Sequence, residues 1–108
     1  MKKINLMGVT YTAKVVGDAT FQKRNKETGI DTPCVGFCNK STKQIYVHNN
    51  FKEEDERTLT HEILHGICYE GGIEVKQFFD VAEEVFIQLL TPSFYRFIKD
   101  NTNFFKEK

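Results

Sequence analysis

The pentapeptide His61-Glu62-Ile63-Leu64-His65 holds the residues of this chain whose types and spacing could do chemistry. Two histidines four positions apart on a helix point the same way, so both imidazoles can hold one metal ion. Glu62 follows the first histidine directly and lies within reach of a water on that metal, for which it can act as general base. This H-E-x-x-H pattern is typical of zinc-dependent hydrolysis, with His61 and His65 as metal ligands and Glu62 as the catalytic carboxylate.

The residues around the pentapeptide predict a helix over about Phe51 to Glu70. Asn50 is a good N-cap, and Glu53 can complete a capping box with it. The first turn is acidic, which the helix dipole favours, and apolar residues then recur every three or four positions. Two glycines, Gly71 and Gly72, provide the helix end. The metal-binding pattern is therefore expected in the middle of a helix.

A catalytic zinc site takes three protein ligands, and the sequence offers the third one downstream. A second helix is predicted from about Lys76 to Leu90, with apolar residues at helical spacing and Glu83 and Glu84 among them. A carboxylate in such a setting is costly to bury unless it is paired or bound to a metal. Eighteen residues separate His65 from Glu84 and seventeen separate it from Glu83, so the two remain alternatives. Cys68 is expected to be a small buried hydrophobe instead.

An H-E-x-x-H followed by eighteen or nineteen residues and a Glu resembles the gluzincin ligand set of thermolysin-like proteases and zinc aminopeptidases. The chain also resembles small phage-encoded metallopeptidases over most of its length, apart from the loop around Phe21 to Asp31. The segments that carry this resemblance are Thr60–Ile67, Glu84–Ile87, Tyr95, Lys99-Asp100-Asn101, Gly36 and Gln44–His48. The resemblance implies that His61, His65 and Glu84 bind zinc. It also implies a minimal zincin-like metallopeptidase domain, with a peptide or protein as its substrate.

The resemblance assigns further roles and marks two departures. In this class of fold an edge strand beside the zinc helix aligns the substrate, and Gln44–His48 is the expected strand. A donor to the oxyanion is expected among four side chains: Tyr46, His48, Tyr69 and Tyr95. Gln88 stands where thermolysin-like proteins have an Asp that orients the first histidine. Thr91-Pro92 predicts that the last helix restarts there, with Thr91 as its N-cap.

Length and charge limit the class of protein. The 108 residues predict a single domain, 1–108, with one core. Fifteen basic and fifteen acidic residues give zero formal charge, so neither nucleic acid nor an anionic membrane is an expected partner. The local basic group Lys23, Arg24 and Lys26 is expected in a solvated loop.

The cysteines and the apolar segments predict a cytoplasmic protein, in the host cytoplasm if a phage encodes it. Three cysteines are an odd number, which argues against a disulfide framework, and Cys34 and Cys38 are interpreted as packing residues. The N-terminus lacks the apolar region of a signal peptide, and no run reaches the length of a membrane span.

The remaining pattern predicts an α+β domain, a small antiparallel sheet followed by two or three helices. Short strands are expected at Ile4–Met7 and around Tyr11–Val15, and a hairpin at Cys34–Cys38 and Lys43–His48. The phenylalanines at the C-terminal end are expected in the core, with a subunit interface for the last two as the alternative. These are Phe94, Phe97, Phe104 and Phe105.

Three hypotheses from different classes follow from the sequence. The first is a zinc metallopeptidase. The second is a zinc-binding but non-proteolytic interaction module of a phage or prophage, which the uncharged Gln88 and the small size of the chain favour. The third is a structural domain with a fortuitous motif. Metal content separates the third from the other two, and the effect of Glu62→Gln on hydrolysis separates the first from the second.

Overall fold

The computed structural model describes residues 2–28, 34–50 and 52–101. The strands are β1 (Lys2–Leu6), β2 (Val9–Val16), β3 (Gly36–Asn39) and β4 (Gln44–His48). The helices are α1 (Asp18–Glu27), α2 (Lys52–Glu70), α3 (Val75–Phe79) and α4 (Glu83–Asp100). The α+β class is confirmed. Phe51, Phe104 and Phe105, which the sequence assigns to a helix start and to the core or an interface, lie outside the described residues.

The four strands form one sheet in the order β1-β2-β4-β3. β1 and β2 pair antiparallel around a tight turn at Met7 and Gly8, whose φ angles are 53° and 85°. Two residues with positive φ match the right-handed twist of a hairpin. The predicted β3–β4 hairpin is also present, with Gly36 opposite Val47. β2 and β4 run parallel, however. The sheet is therefore mixed, whereas the sequence predicted an antiparallel sheet.

The parallel pairing depends on α1, which lies where the sequence predicted a polar loop. Two of its residues are buried, Phe21 and Asn25, and only Phe21 is apolar. Phe21 is fully buried and its ring lies 5.3 Å from the rings of both Phe37 and His48. With one buried aromatic residue there is no apolar stripe to detect, so tertiary packing and not local periodicity stabilises this helix. The basic Lys23 and Lys26 are exposed on its outer face.

The two faces of the sheet are covered by different helices. Ile45 and Val47 of β4 point into the main core, against which Leu59, Ile63 and Ile67 of α2 pack. Side chains alternate along a strand, so Tyr46 and His48 point to the opposite face, where α1 lies. α2 therefore packs on the sheet through its apolar face, and the face that carries the two histidines contacts α4.

The helical region after α2 differs from its prediction in two ways. The predicted helix from Lys76 to Leu90 is interrupted after α3 by Asp80, which has a left-handed φ of 55°. α4 then continues through Pro92 to Asp100, so the predicted restart at Thr91 is wrong. Thr91 lies inside the helix, where its hydroxyl donates to the Ile87 carbonyl at 2.6 Å. Ile87, Thr91 and Tyr95 are buried on one face, and this packing outweighs the one backbone hydrogen bond that proline removes.

Several apolar side chains of these helices are exposed and do not join the core. Phe78, Leu89 and Phe97, which the sequence assigned to an apolar face or to the core, are among them, whereas Phe94 packs on the second core cluster. Within the described ranges, no helix combines the length and apolar character needed to cross a membrane.

Candidate metal centre

α2 begins and ends much as the sequence predicts, with one change at its N-terminus. The carboxylate of Asp55 accepts a hydrogen bond from the backbone N–H of Asn50 at 2.9 Å. Glu53, the predicted partner for that position, instead accepts from Arg57 at 3.1 Å. At the other end, Gly72 has a φ of 66°, a left-handed conformation that glycine adopts without strain. These local features fix the length of the helix on which the two histidines lie.

His61 and His65 lie on the same face of α2, as their spacing requires. Their ring centroids are 4.9 Å apart and the rings meet edge to face at 65°. Both side chains are mostly buried, with 18% and 15% of their surface exposed. They point toward α4, away from the sheet that packs on Leu59 and Ile63.

Glu84 in the first turn of α4 contacts both imidazoles. Its Oε1 lies 2.8 Å from His61 Nε2 and its Oε2 lies 2.7 Å from His65 Nε2. One potential ligand atom from each of the three residues lies within 4.8 Å of the others. The structure therefore brings together the three residues that the sequence proposed as ligands, from two helices that are separated along the chain.

Glu83, the alternative third ligand, lies on the other side of the His65 ring. Its Oε2 is 2.7 Å from His65 Nδ1, whereas Glu84 contacts both histidines at Nε2. This arrangement favours Glu84 over Glu83 as the third ligand. Gln88 approaches neither histidine in the described contacts but donates to Glu84 Oε1 at 3.4 Å, a long hydrogen bond.

Glu62 is buried next to this cluster, with only 8% of its surface exposed. Burial raises the pKa of its carboxyl to about 7, and the negative charge of Glu84 acts in the same direction, while His65 and Lys40 oppose the shift. A carboxyl group with a pKa near neutrality can both accept and return a proton. It lies beside the imidazoles but is not among the three clustered ligands.

A cleft of about 650 Å³ opens over the cluster. β3 forms one wall, α2 the floor, and α4 the other wall, with Gln88, Thr91 and Pro92. Among the described residues that line it, the Lys and Arg side chains are Lys40 and Arg57. Arg57 precedes His61 by one helical turn on the same face, and its guanidinium lies 5.7 Å from the centre of the Tyr95 ring. Arg57 is not among the site residues predicted from the sequence, although its four-residue spacing from His61 was a usable signal.

The four side chains proposed as oxyanion donors are not among the described residues that line the cleft. Tyr95 donates to Glu56 at 3.1 Å, and His48 pairs with Asp18 at 3.1 Å on the far face of the sheet. Tyr46 stacks on Phe37, and Tyr69 lies under the ammonium groups of two lysines, Lys40 and Lys43. Arg57 and Lys40 are therefore better placed than these four to meet a developing negative charge.

The strand expected to align a substrate also changes. Gln44–His48 is β4, which pairs with β2 on one side and β3 on the other, so it has no open edge. The edge strand beside the cleft is β3. His48 N–H donates to the Val35 carbonyl, so by the alternation of an antiparallel pair Gly36 and Cys38 direct their backbone groups away from β4. β3 is thus the strand with backbone groups available toward the cleft.

The cluster could hold a metal ion, and its donor types are among those that zinc accepts. Two imidazole nitrogens and one carboxylate form a three-ligand set that leaves one coordination position for a water or a substrate. Glu84 has 53% of its side chain exposed, so the cluster is open on the side of the cleft. Comparisons of the chain with protein-family models, with curated proteins and with solved structures find no match.

Proposed function

We propose that this protein is a zinc-dependent metallopeptidase that hydrolyses peptide bonds in a peptide or protein substrate. The observation that carries the proposal is the convergence of His61, His65 and Glu84 beside the buried carboxyl of Glu62, at the base of an open cleft. Zinc bound there would activate a water molecule and polarise the carbonyl that it attacks.

Glu62 performs the proton transfers in this mechanism. Its carboxylate accepts a proton from the attacking water and later donates that proton to the departing amine. Amide hydrolysis depends on this second step, because an unprotonated amine is a poor leaving group.

The walls of the cleft would bind and orient the substrate. The outward backbone groups of Gly36 and Cys38 can extend the sheet by one strand of substrate. Arg57, one turn before His61, can donate to a substrate carbonyl or carboxylate from its remaining N–H groups. We also place the protein in the cytoplasm, which the free thiols of Cys34, Cys38 and Cys68 support.

Replacement of Glu62 by glutamine tests this mechanism. Glu62→Gln should retain one zinc per chain and the wild-type fold, but should reduce hydrolysis of a cleaved peptide by at least about 10²-fold, because the proton carrier is lost. Glu54→Gln, a change in the first turn of the same helix and outside the cleft, is the matched control and should cleave like the wild type.

Two results would contradict the proposal in different ways. Cleavage by Glu62→Gln at the wild-type rate would remove Glu62 from the mechanism. Stoichiometric zinc without cleavage of any member of a peptide library would favour the second candidate, a zinc-binding interaction module of a phage or prophage. The position of Gln88 supports that candidate, since it places an uncharged amide, and not a carboxylate, against the ligand Glu84.

A further inference from the structure

His65 contacts two consecutive glutamates through its two ring nitrogens. Nε2 lies 2.7 Å from Glu84 Oε2 and Nδ1 lies 2.7 Å from Glu83 Oε2. An ionised carboxylate can only accept a hydrogen bond, so a ring nitrogen of His65 can take part in either contact only as the donor. The Glu83 side chain is the less exposed of the two, at 29% against 53% for Glu84.

The placement of the two contacts indicates which nitrogen of His65 would be available to a metal. A neutral imidazole carries one N–H and one lone pair, and a hydrogen bond at one nitrogen fixes both the tautomer and the ring orientation. Nε2 is the nitrogen on the side of Glu84 and His61, so a metal ion bound by these residues would take the place of the Nε2 proton and leave the N–H at Nδ1, where Glu83 accepts it. Carboxylates that hold ligand histidines in this way also raise the basicity of the ligand.

The start of α4 explains how neighbouring residues can serve one ring. Glu83 and Glu84 are the first two residues of the helix, and consecutive side chains diverge by about 100° around a helix axis. The two carboxylates can therefore reach different sides of the His65 ring, Glu83 at Nδ1 and Glu84 at Nε2. Gln88, the position expected to hold an orienting acid, contacts Glu84 instead, so the charge against a ligand histidine comes from Glu83.

We propose that Glu83 is a positioning residue of the metal centre, which holds His65 with Nδ1 protonated and Nε2 directed at the ion, without binding the ion itself. The inference rests on the proposed function only in requiring that the site binds zinc. It assigns to the residue before the ligand Glu84 an orienting role on the second histidine, which is distinct from the role on the first histidine that was expected at position 88.

Zinc affinity at fixed pH, measured by competition with a chromophoric chelator, tests the assignment without any need for a substrate. Glu83→Gln should weaken zinc binding by about 10- to 100-fold while one zinc per chain still binds at saturation. In the zinc-loaded protein, the Nδ1–H proton of His65 should be protected and shifted downfield in NMR spectra, and this signature should be lost in Glu83→Gln. Glu74→Gln, an exposed acidic residue before α3, is the control and should change neither measurement.

A second variant separates positioning from the general benefit of negative charge at a helix N-terminus. Glu83→Asp keeps the charge that the dipole of α4 favours but shortens the reach to Nδ1. If Glu83 positions His65, the aspartate variant also loses affinity and the NMR signature. If the aspartate variant binds zinc like the wild type while Glu83→Gln does not, only the charge matters and the positioning role is wrong.

The remaining outcomes distinguish this inference from the function on which it rests. Wild-type zinc affinity and an unchanged Nδ1–H signal in Glu83→Gln would overturn the inference alone. Loss of stoichiometric zinc in Glu83→Gln, with retention in Glu84→Gln, would show that Glu83 is the ligand and overturn it as well. A wild-type protein that binds no zinc would overturn the proposed function and the inference together.

Discussion

Two glutamates on α2 have opposite electrostatic environments. Glu62 is buried beside the histidine cluster, and burial raises the pKa of its carboxyl to about 7. Glu70, two turns later, accepts hydrogen bonds from Lys43 at 2.8 Å and from the hydroxyl of the buried Tyr11 at 2.9 Å. The ammonium of Lys43 holds the pKa of Glu70 below its usual range, partly offset by burial and reinforced by Tyr11. The first environment makes Glu62 a candidate for the proposed proton transfer, whereas Glu70 takes part in a structural contact that joins α2 to β2 and to the turn before β4.

The depressed pKa of Glu70 predicts how stability depends on pH. Because the folded-state pKa lies below the unfolded-state pKa, the stabilisation is fully present above the unfolded value and is lost as the pH falls through the folded value. Glu70→Gln should therefore lower the free energy of unfolding at neutral pH. Urea denaturation at about pH 7 and about pH 3 should show the gap between wild type and variant narrowing in acid.

The control for this experiment is Glu54→Gln, which leaves the contacts of Glu70 with Lys43 and Tyr11 intact. It should follow the wild-type curve at both pH values. A gap between wild type and Glu70→Gln that stays constant, or widens in acid, would contradict the assignment of a charged Glu70 in the folded protein.

At the scale of elements, the approach of β3 to α2 shapes the cleft. A Cβ atom at Gly36 would lie 2.5 Å from Thr58 Cγ2, 3.3 Å from the Tyr46 carbonyl oxygen and 3.4 Å from Glu62 Cγ. Glycine at this position therefore lets the edge strand approach the helix within one turn of His61. The same approach contributes to the burial of Glu62.

Gly36→Ala should destabilise the fold by about 1–3 kcal/mol, because the added methyl group overpacks the contact between β3 and α2. The closest atom belongs to the Thr58 methyl group, so Thr58→Ser in the same chain removes the main clash. Chemical denaturation of the wild type, both single variants and the double variant measures the coupling. The double variant should recover part of the loss, and purely additive effects would show that this methyl contact is not the cause.

At the scale of the whole molecule, the contacts among His61, His65 and Glu84 join α2 to α4. Leu64, Cys68 and Val75 pack with Ile87 in a small second core cluster, separate from the larger one against the sheet. Much of the surface of α4 away from this contact is exposed, including apolar residues such as Leu89 and Phe97. A ligand shared by both helices would therefore contribute to the stability of the whole domain.

Removal of metal should lower the melting temperature, since binding to the folded state adds directly to folding free energy. At free zinc about 100-fold above Kd the contribution is about 2.7 kcal/mol, which corresponds to about 10 °C for a domain of this size. Thermal denaturation with a chelator, and then with zinc restored, measures this shift.

Two histidine variants control the thermal experiment. His61→Ala should melt at the same temperature with and without chelator, because it has lost a ligand. His48→Ala, which removes the third histidine of the chain from the far side of the sheet, should keep the chelator effect. An unchanged melt of the wild type after verified metal removal would show that core packing alone holds the two helices.

The sequence determined the features that depend on local geometry. Four-residue spacing on a helix directs His61 and His65 to one face whatever surrounds them, and alternation with a short turn specifies the β3–β4 hairpin. The limits of α2 follow from acidic residues at its start and glycine at its end. Each of these signals involves residues a few positions apart, whose relative placement the backbone fixes.

Tertiary structure decided what depends on residues far apart in the chain. α1 forms because Phe21 is buried against Phe37 and His48, and this helix allows β2 and β4 to run parallel. Which nitrogen of His65 each of Glu83 and Glu84 contacts depends on how α4 approaches His65, which spacing alone left open. No local pattern encodes these contacts, because their free energy comes from packing and desolvation between elements that meet only in the folded chain.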